Sequence, residues 1–259
     1  MKKTLALYRD PRFSPNSVEK DKAILEAVIR RLEGEVLAMQ ESEFKALGDY
    51  DLYLSMGRLP STFSLLKKAE EEGRKVINSG YAIERCIRGS LDKLMRQNGI
   101  AMPPLEGKHG YWLKRADASA QDQTDVVYCP NNDCLQAKQR LFTRQKAIPY
   151  IVSAHVPGDV IKFYGVGKSF FRYFYPGDDH DWKFSDEAVN GAPHHYTFPI
   201  KDFQKEVFRL SELVGLEVYG GDAIIDSQGR FYLIDFNDWP SFSRCKDEAA
   251  LAILKLTEK

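Results

Sequence analysis

Apolar positions along the first eighty residues change period in a regular order. Thr4 to Tyr8 is a short apolar run. After a loop with two prolines, a helix is expected from Ser17 or Val18, with Ile24, Leu25, Val28, Ile29 and Leu32 at helical spacing and Gly34 at its end. Glu35 to Met39 and Asp51 to Ser55 read as strands. A helix capped near Ser61 then runs to Gly73, before a fourth strand at Lys75 to Asn78. Strand and helix in alternation predict an open parallel sheet. Ligands of such sheets sit beyond the carboxyl ends of the strands, where this sequence puts Tyr8-Arg9, Met56-Gly57-Arg58 and Asn78-Ser79-Gly80. Arg9, Arg12 and Arg58 are therefore candidates to hold an anionic substrate. Solvated loop arginines are the plain alternative.

One long helix is expected over Tyr81 to Asn98, with Ile83, Ile87, Leu91, Leu94 and Met95 on one side. Gly99 stops it, and Pro103-Pro104 forces an extended exit. Tyr111 to Lys114 reads as a strand, and Asp125 to Tyr128 with the basic stretch from Lys138 to Lys146 completes a small central domain. Val160 to Tyr175 reads as a hairpin turning at Gly167-Lys168, its aromatic residues packing the sheet. Asp178 to His195 reads as a loop. Its His180, His194 and His195 suit a proton shuttle, a ligand set or a solvated loop. Phe203 to Val214 and Lys246 to Leu256 are the last helices.

Between those helices, Gly220 to Phe242 reads as two strands joined by the turn Asp226-Ser227-Gln228-Gly229. Asp222 lies on the first strand; Asp235 and Asn237 lie at the end of the second. Residues two apart on a strand point to one face. Three oxygen donors converging there suit a hard cation such as Mg²⁺. Turn formation is the other ordinary use of Asp and Asn at strand ends.

Bulk properties narrow the classes. Lys+Arg and Asp+Glu both number 37, so no overall field points to nucleic acid or membrane. No apolar run approaches a membrane span, and MKKTLALYRD breaks into charge too early for a secretory leader. A cytoplasmic protein is expected. Cys86, Cys129, Cys134 and Cys245 lack zinc-site spacing and read as reduced thiols. The first strand is not followed by G-x-G-x-x-G, which argues against a dinucleotide-dependent oxidoreductase.

Gly-x-Asp followed after twelve residues by Asp-x-Asn-x-x-Pro, here Gly220 to Pro240, resembles the C-terminal signature of the ATP-grasp superfamily. The resemblance extends over roughly residues 75 to 245. It implies an α/β and α+β fold: an N-terminal Rossmann-like parallel-sheet domain (1–103), a central subdomain (104–153) and a C-terminal subdomain (154–259). It also implies a site for ATP and Mg²⁺. The metal would fall to Asp222, Asp235 and Asn237. Lys114, at the end of an aromatic strand, matches a lysine on the α/β phosphates. Arg88 stands where many members have a phosphate-binding lysine. Ile151 to Asp159 matches the interdomain hinge, placing the backbones of Ala154 and Val156 on adenine and Asp159 near the ribose. Lys162, and Arg172 on the return strand, match cations at the terminal phosphate or transferred group. The loop after Lys114 departs from the family, because Arg115 to Thr124 contains no glycine.

Two reactions follow from the resemblance. One is that of the glutathione synthetase-like and ribosomal-protein glutamate ligases, in which a carboxylate becomes an acyl phosphate and is joined to an amine. The other is that of the inositol phosphate kinases, whose Asp-x-Asn form is echoed by Ile234-Asp235-Phe236-Asn237. A nucleotide-binding regulator without turnover is the third class. The acceptor, a small molecule or a peptide, and the oligomeric state stay open.

Overall fold

The computed structural model describes residues 2–15, 17–117, 124–146, 148–179 and 189–258. The first sheet is parallel, formed by β1 (Lys3–Tyr8), β2 (Glu35–Gln40), β3 (Leu52–Ser55) and β4 (Lys75–Ile77) in the order β2-β1-β3-β4. Its alternation divides two cores. Leu5, Leu7 and Tyr53 face Phe63 and Leu66 of α2 (Pro60–Glu71), while Ala6, Leu52 and Leu54 face Ile24 and Val28 of α1 (Val18–Ile29). The start of α2 differs from expectation. Pro60 occupies the first turn, and the Leu59 N–H is met from outside by the carboxylate of Glu41 at 2.7 Å, so Ser61 is not the cap.

The helix expected over Tyr81 to Asn98 is two helices, α3 (Gly80–Arg85) and α4 (Arg88–Gln97), parted where Ile87 is extended. The reason is packing. Ile83 lies in the core beneath the parallel sheet, whereas Leu91 and Met95 lie in the core of another sheet, and a straight helix cannot serve both.

A second sheet, ordered β6-β5-β7, contains β5 (Tyr111–Arg115), β6 (Val126–Cys129) and β7 (Tyr150–Ala154), all antiparallel. Leu113 and Cys129 on its outer face pack beneath Leu135 of α5 (Asn132–Leu141). The third sheet is antiparallel, ordered β11-β10-β8-β9. It consists of β8 (Asp159–Val166), β9 (Phe170–Phe174), β10 (Val218–Ile225) and β11 (Phe231–Asp238). Ile161, Phe163 and Phe236 cover its face toward α6 (Ile200–Val214), joined by Leu91 and Met95. The opposite face divides lengthwise. Tyr164, Val166, Val218 and Trp239 pack against α1, α7 (Lys246–Glu258) and the parallel sheet; the rest faces the three-stranded sheet. Asn78, at the end of β4, fastens the two larger sheets. Its amide donates to Val218 O at 2.7 Å and accepts from the N–H groups of Glu217 and Val218.

No helix among the described residues is long and apolar enough to cross a membrane.

Candidate active site

The metal-motif hairpin forms as read. Asp222 and Asp235 are direct cross-strand partners, and Gly220 pairs with Asn237, so all three polar side chains share one face. Gly221 makes this pairing possible, since a Cβ there would lie 2.1 Å from Asp235 O. A bulge follows at once: Ala223 pairs with Leu233, skipping Ile234. The extra residue re-aims the strand, and Ile234 joins Ile224 in the wall of a cleft.

Three predicted cations meet at this face although they come from separate elements. Lys162 on β8 pairs with Asp222 in register and its ammonium contacts the Asp222 carboxylate. Lys114 reaches across from the three-stranded sheet, its Nζ 3.2 Å from Ile234 O. Arg88 opens α4, donating to Arg115 O at 3.0 Å, while the next N–H, that of Gly89, donates to Ala116 O at 2.8 Å. Burial acts to raise the Asp235 carboxyl. The charges of Arg88, Lys114 and Lys162, with a hydrogen bond from Asn237, outweigh it and hold it below the usual carboxylate range. Burial likewise opposes the Lys162 charge, but Asp222 holds the ammonium above its ordinary value.

A narrow cleft lies beside this face. The three-stranded sheet contributes Trp112, Lys114 and Ser153, the hinge contributes Ala154, His155 and Val156, and the antiparallel sheet contributes Ile224 and Ile234. Apolar walls with the Lys114 ammonium among them, next to the Asp222–Asp235 face, suit a base joined to a polyphosphate. The Ala154 N–H donates to Pro104 O at 2.7 Å and the His155 N–H to Gly110 O at 2.8 Å. Ala154 therefore offers a base its carbonyl, not its N–H.

The remaining candidates lie elsewhere. Asp159 alternates with Ile161 and Phe163, so it faces away from Lys162. It is buried and accepts from the N–H groups of His194 (2.7 Å) and Tyr196 (2.9 Å), which removes it from any ribose in the cleft. Arg172 leans onto α7, 2.8 Å from Glu248. Arg9 and Arg58 converge on one carboxylate, Asp238, at 3.1 and 2.6 Å. Arg9 is also 2.8 Å from Asp21 and donates to Met56 O, and its side chain is only 6 % exposed. Arg12 pairs with Asp10. His195 contacts Asp178 at 3.1 Å; His180 and most of the glycine-free loop lie outside the described residues.

Among the described residues no cluster of three His, Cys, Asp or Glu side chains has metal-binding geometry. The hairpin donor set of two carboxylates and one amide depends on its asparagine, and its hard oxygens match the preference of Mg²⁺. Pro103, Trp112, His155, Ile224 and Ile234 line the cleft without having been singled out from sequence. Ile224 lies two residues beyond Asp222 on the same face and was legible; the bulge that brings Ile234 in has no sequence signal.

No protein-family model matches the chain, and no curated protein matches its sequence. Solved structures do. A D-alanine–D-alanine ligase from Bacillus anthracis aligns with 100 % of this chain and 95 % of its own at TM-score 0.66 and 12 % identity. D-alanyl-alanine synthetase A from Vibrio cholerae aligns over 99 % and 96 % at TM-score 0.67 and 11 % identity. A RimK domain ATP-grasp protein from Sphaerobacter thermophilus aligns over 99 % and 100 % at TM-score 0.62 and 16 % identity. The chain has the α/β ATP-grasp fold, with a parallel N-terminal sheet and antiparallel C-terminal sheets.

Proposed function

We propose that this chain is a Mg²⁺- and ATP-dependent carboxylate–amine ligase. The observation that carries the reading is the meeting of Arg88, Lys114 and Lys162 around Asp222 and Asp235, at the polar end of a cleft between two antiparallel sheets. Three cations around two carboxylates leave this floor positive, as a polyphosphate requires. The adenine would enter between Val156, Ile224 and Ile234, with the Ala154 carbonyl on its edge.

Phosphoryl transfer asks a protein mainly for positioning and charge neutralisation. Lys114 and Arg88 hold the inner phosphates in line, and Lys162 neutralises the oxygen charge on the transferred group. A carboxylate oxygen of the acceptor attacks the terminal phosphorus and ADP leaves. An amine then attacks the acyl phosphate and releases phosphate. Mg²⁺, held by Asp222, Asp235 and Asn237, would supply further neutralisation and in-line orientation. The solved ligases of the same fold support this chemistry over the alternatives.

Phosphorylation of a polyanion, as by an inositol phosphate kinase, calls for an open basic bowl. Arg9 and Arg58 are instead closed on Asp238, and Arg172 turns to Glu248. This favours the ligase.

The test is ADP release over a panel of carboxylate and amine pairs, with hydroxylamine to trap the acyl phosphate. A thermal-shift titration with ATP, with and without Mg²⁺, accompanies it. A Mg²⁺-dependent shift, absent in Asp235→Asn, and a hydroxamate product are expected. ADP release with alcohol acceptors alone would replace the ligase by a kinase. Nucleotide binding without ADP from any acceptor would make the chain a regulator.

A further inference from the structure

His155 is a polar residue of the cleft wall, with Ser153 and Asn190, that the chemistry above does not use. It is buried at 7 % exposure, and its Nδ1 lies 3.0 Å from Trp112 Nε1. An indole N–H can only donate. The Nδ1 atom must therefore be the acceptor, and the neutral ring carries its proton on Nε2. The Nε2 atom has no partner among the described residues. Yet it is absent from the fully enclosed orphan atoms, which are Thr4 Oγ1, Thr62 Oγ1 and Trp239 Nε1. Since His155 lines the cleft, a fixed N–H donor stands open at its edge.

We infer that His155, held as the Nε2–H tautomer by Trp112, reads the purine by donating to its N1 or N7, with Trp112 as its positioning residue. The inference rests on the nucleotide reading of the cleft. It has a pH consequence. An imidazolium donates from both nitrogens and cannot accept from Trp112, so protonation breaks the pair. Among the described residues, the groups facing His155 are the Trp112 indole and the Tyr128 ring, 5.4 Å away, on the sheet, with His109 before it, Lys114 farther along the cleft and the Asn190 amide in its wall; Ile224 and Ile234 close the other side. None is an anion that would stabilise the imidazolium. Burial, with the His109 charge, keeps the ring neutral to lower pH than usual.

The experiment is calorimetric titration of ATP, 7-deaza-ATP and 1-deaza-ATP into wild type, His155→Leu, His155→Gln and Trp112→Phe. Spectra of ¹⁵N-histidine-labelled protein report the tautomer. One deaza analogue is expected to bind wild type roughly tenfold more weakly than ATP, as loss of one hydrogen bond implies. That gap closes in His155→Leu. Only below the ordinary imidazole range, because burial and His109 lower His155, does wild type lose more ATP affinity than His155→Gln, which shares the titration of the nucleotide itself. Trp112→Phe mixes the tautomers. If both analogues bind like ATP while the Nε2–H signal is intact, the base-reading role is overturned alone. If ATP does not bind although that signal is intact, the nucleotide reading falls and this inference with it.

Discussion

Strand β11 carries two carboxylates three residues apart, the half-buried Asp235 and the buried Asp238, and both are surrounded by cations. At Asp238 the cations close on it. Arg9 and Arg58 bond it directly, their side chains 6 % and 14 % exposed and that of Asp238 3 %. At Asp235 the cations act over a distance and stand beside a cleft. The neighbouring Lys162–Asp222 pair leaves the lysine side chain 38 % exposed. One strand thus ends in two regions built from the same residue types. One is a saturated seam between the parallel and antiparallel sheets. The other is an unsaturated floor that a ligand can complete.

The largest effect should come from the floor. Asp235→Asn keeps the shape and removes the charge at the centre of three cations. Turnover is expected to fall by on the order of 10²–10³ or more, while the thermal midpoint falls by less than in the seam variant below. Steady-state ADP release and a melting curve on one preparation check both halves. A midpoint loss as large as the one predicted next for the seam would erase the distinction.

The seam should respond in the opposite way. Asp238→Asn leaves two guanidinium groups buried without their anion, and breaking a buried pair costs about 3–5 kcal/mol. Denaturant midpoints measure it. Surviving folded protein should still bind nucleotide, because Asp238 belongs to no group lining the cleft. Lys162→Met tests the intermediate case. Its ion pair is part-exposed, so stability should change by no more than about 1 kcal/mol, but ADP release should fall steeply. A stability loss equal to that of Asp238→Asn would mean that Lys162 belongs to the architecture.

Much of this division was legible in the chain, and its failures have physical causes. The period switches located the strands of the parallel sheet and both hairpins of the antiparallel sheet, while β7 was read only as a hinge; counting put Asp235 and Asn237 on one face, and the strand pairing brings Asp222 there. The strand order β2-β1-β3-β4 makes loops diverge after β1 and β3, which is where anion-holding arginines were sought. The anion that Arg9 and Arg58 hold is the chain's own Asp238, 229 and 180 residues downstream. No local pattern could separate an internal carboxylate from a bound substrate. Asp159 was misplaced for a smaller reason. Strand β8 begins at that residue, and its alternation sends Asp159 to the α6 side. The break at Ile87 was hidden because Ile83, Leu91 and Met95 fit one helical stripe, although they serve two cores.

Acid should separate the two carboxylates least sharply, yet with a definite sign. Burial acts to raise Asp238, but Arg58 and Arg9 outweigh it and hold the carboxyl below its ordinary range. In the unfolded chain it titrates near pH 4. A carboxyl depressed by folding stabilises the native state above that unfolded value, and the contribution is lost as pH falls through the lower, native one. Asp235 is depressed as well, by Arg88, Lys114 and Lys162 against the same burial effect. Wild-type stability should therefore decline below about pH 4. Asp238→Asn, already destabilised, should show a shallower decline across that window, since it has one proton fewer to take up on unfolding. Saturating MgATP adds stability to wild type by mass action. Bound at the floor, it should deepen the acid dependence governed by Asp235 and leave that of the seam unchanged. Urea midpoints from pH 6 down to pH 3 (about the window in which carboxylates titrate), with and without MgATP, measure both. An equal acid slope in wild type and Asp238→Asn would mean that the Arg9–Asp238–Arg58 contact persists when its carboxylate is neutral, and that shape, not charge, joins the two sheets.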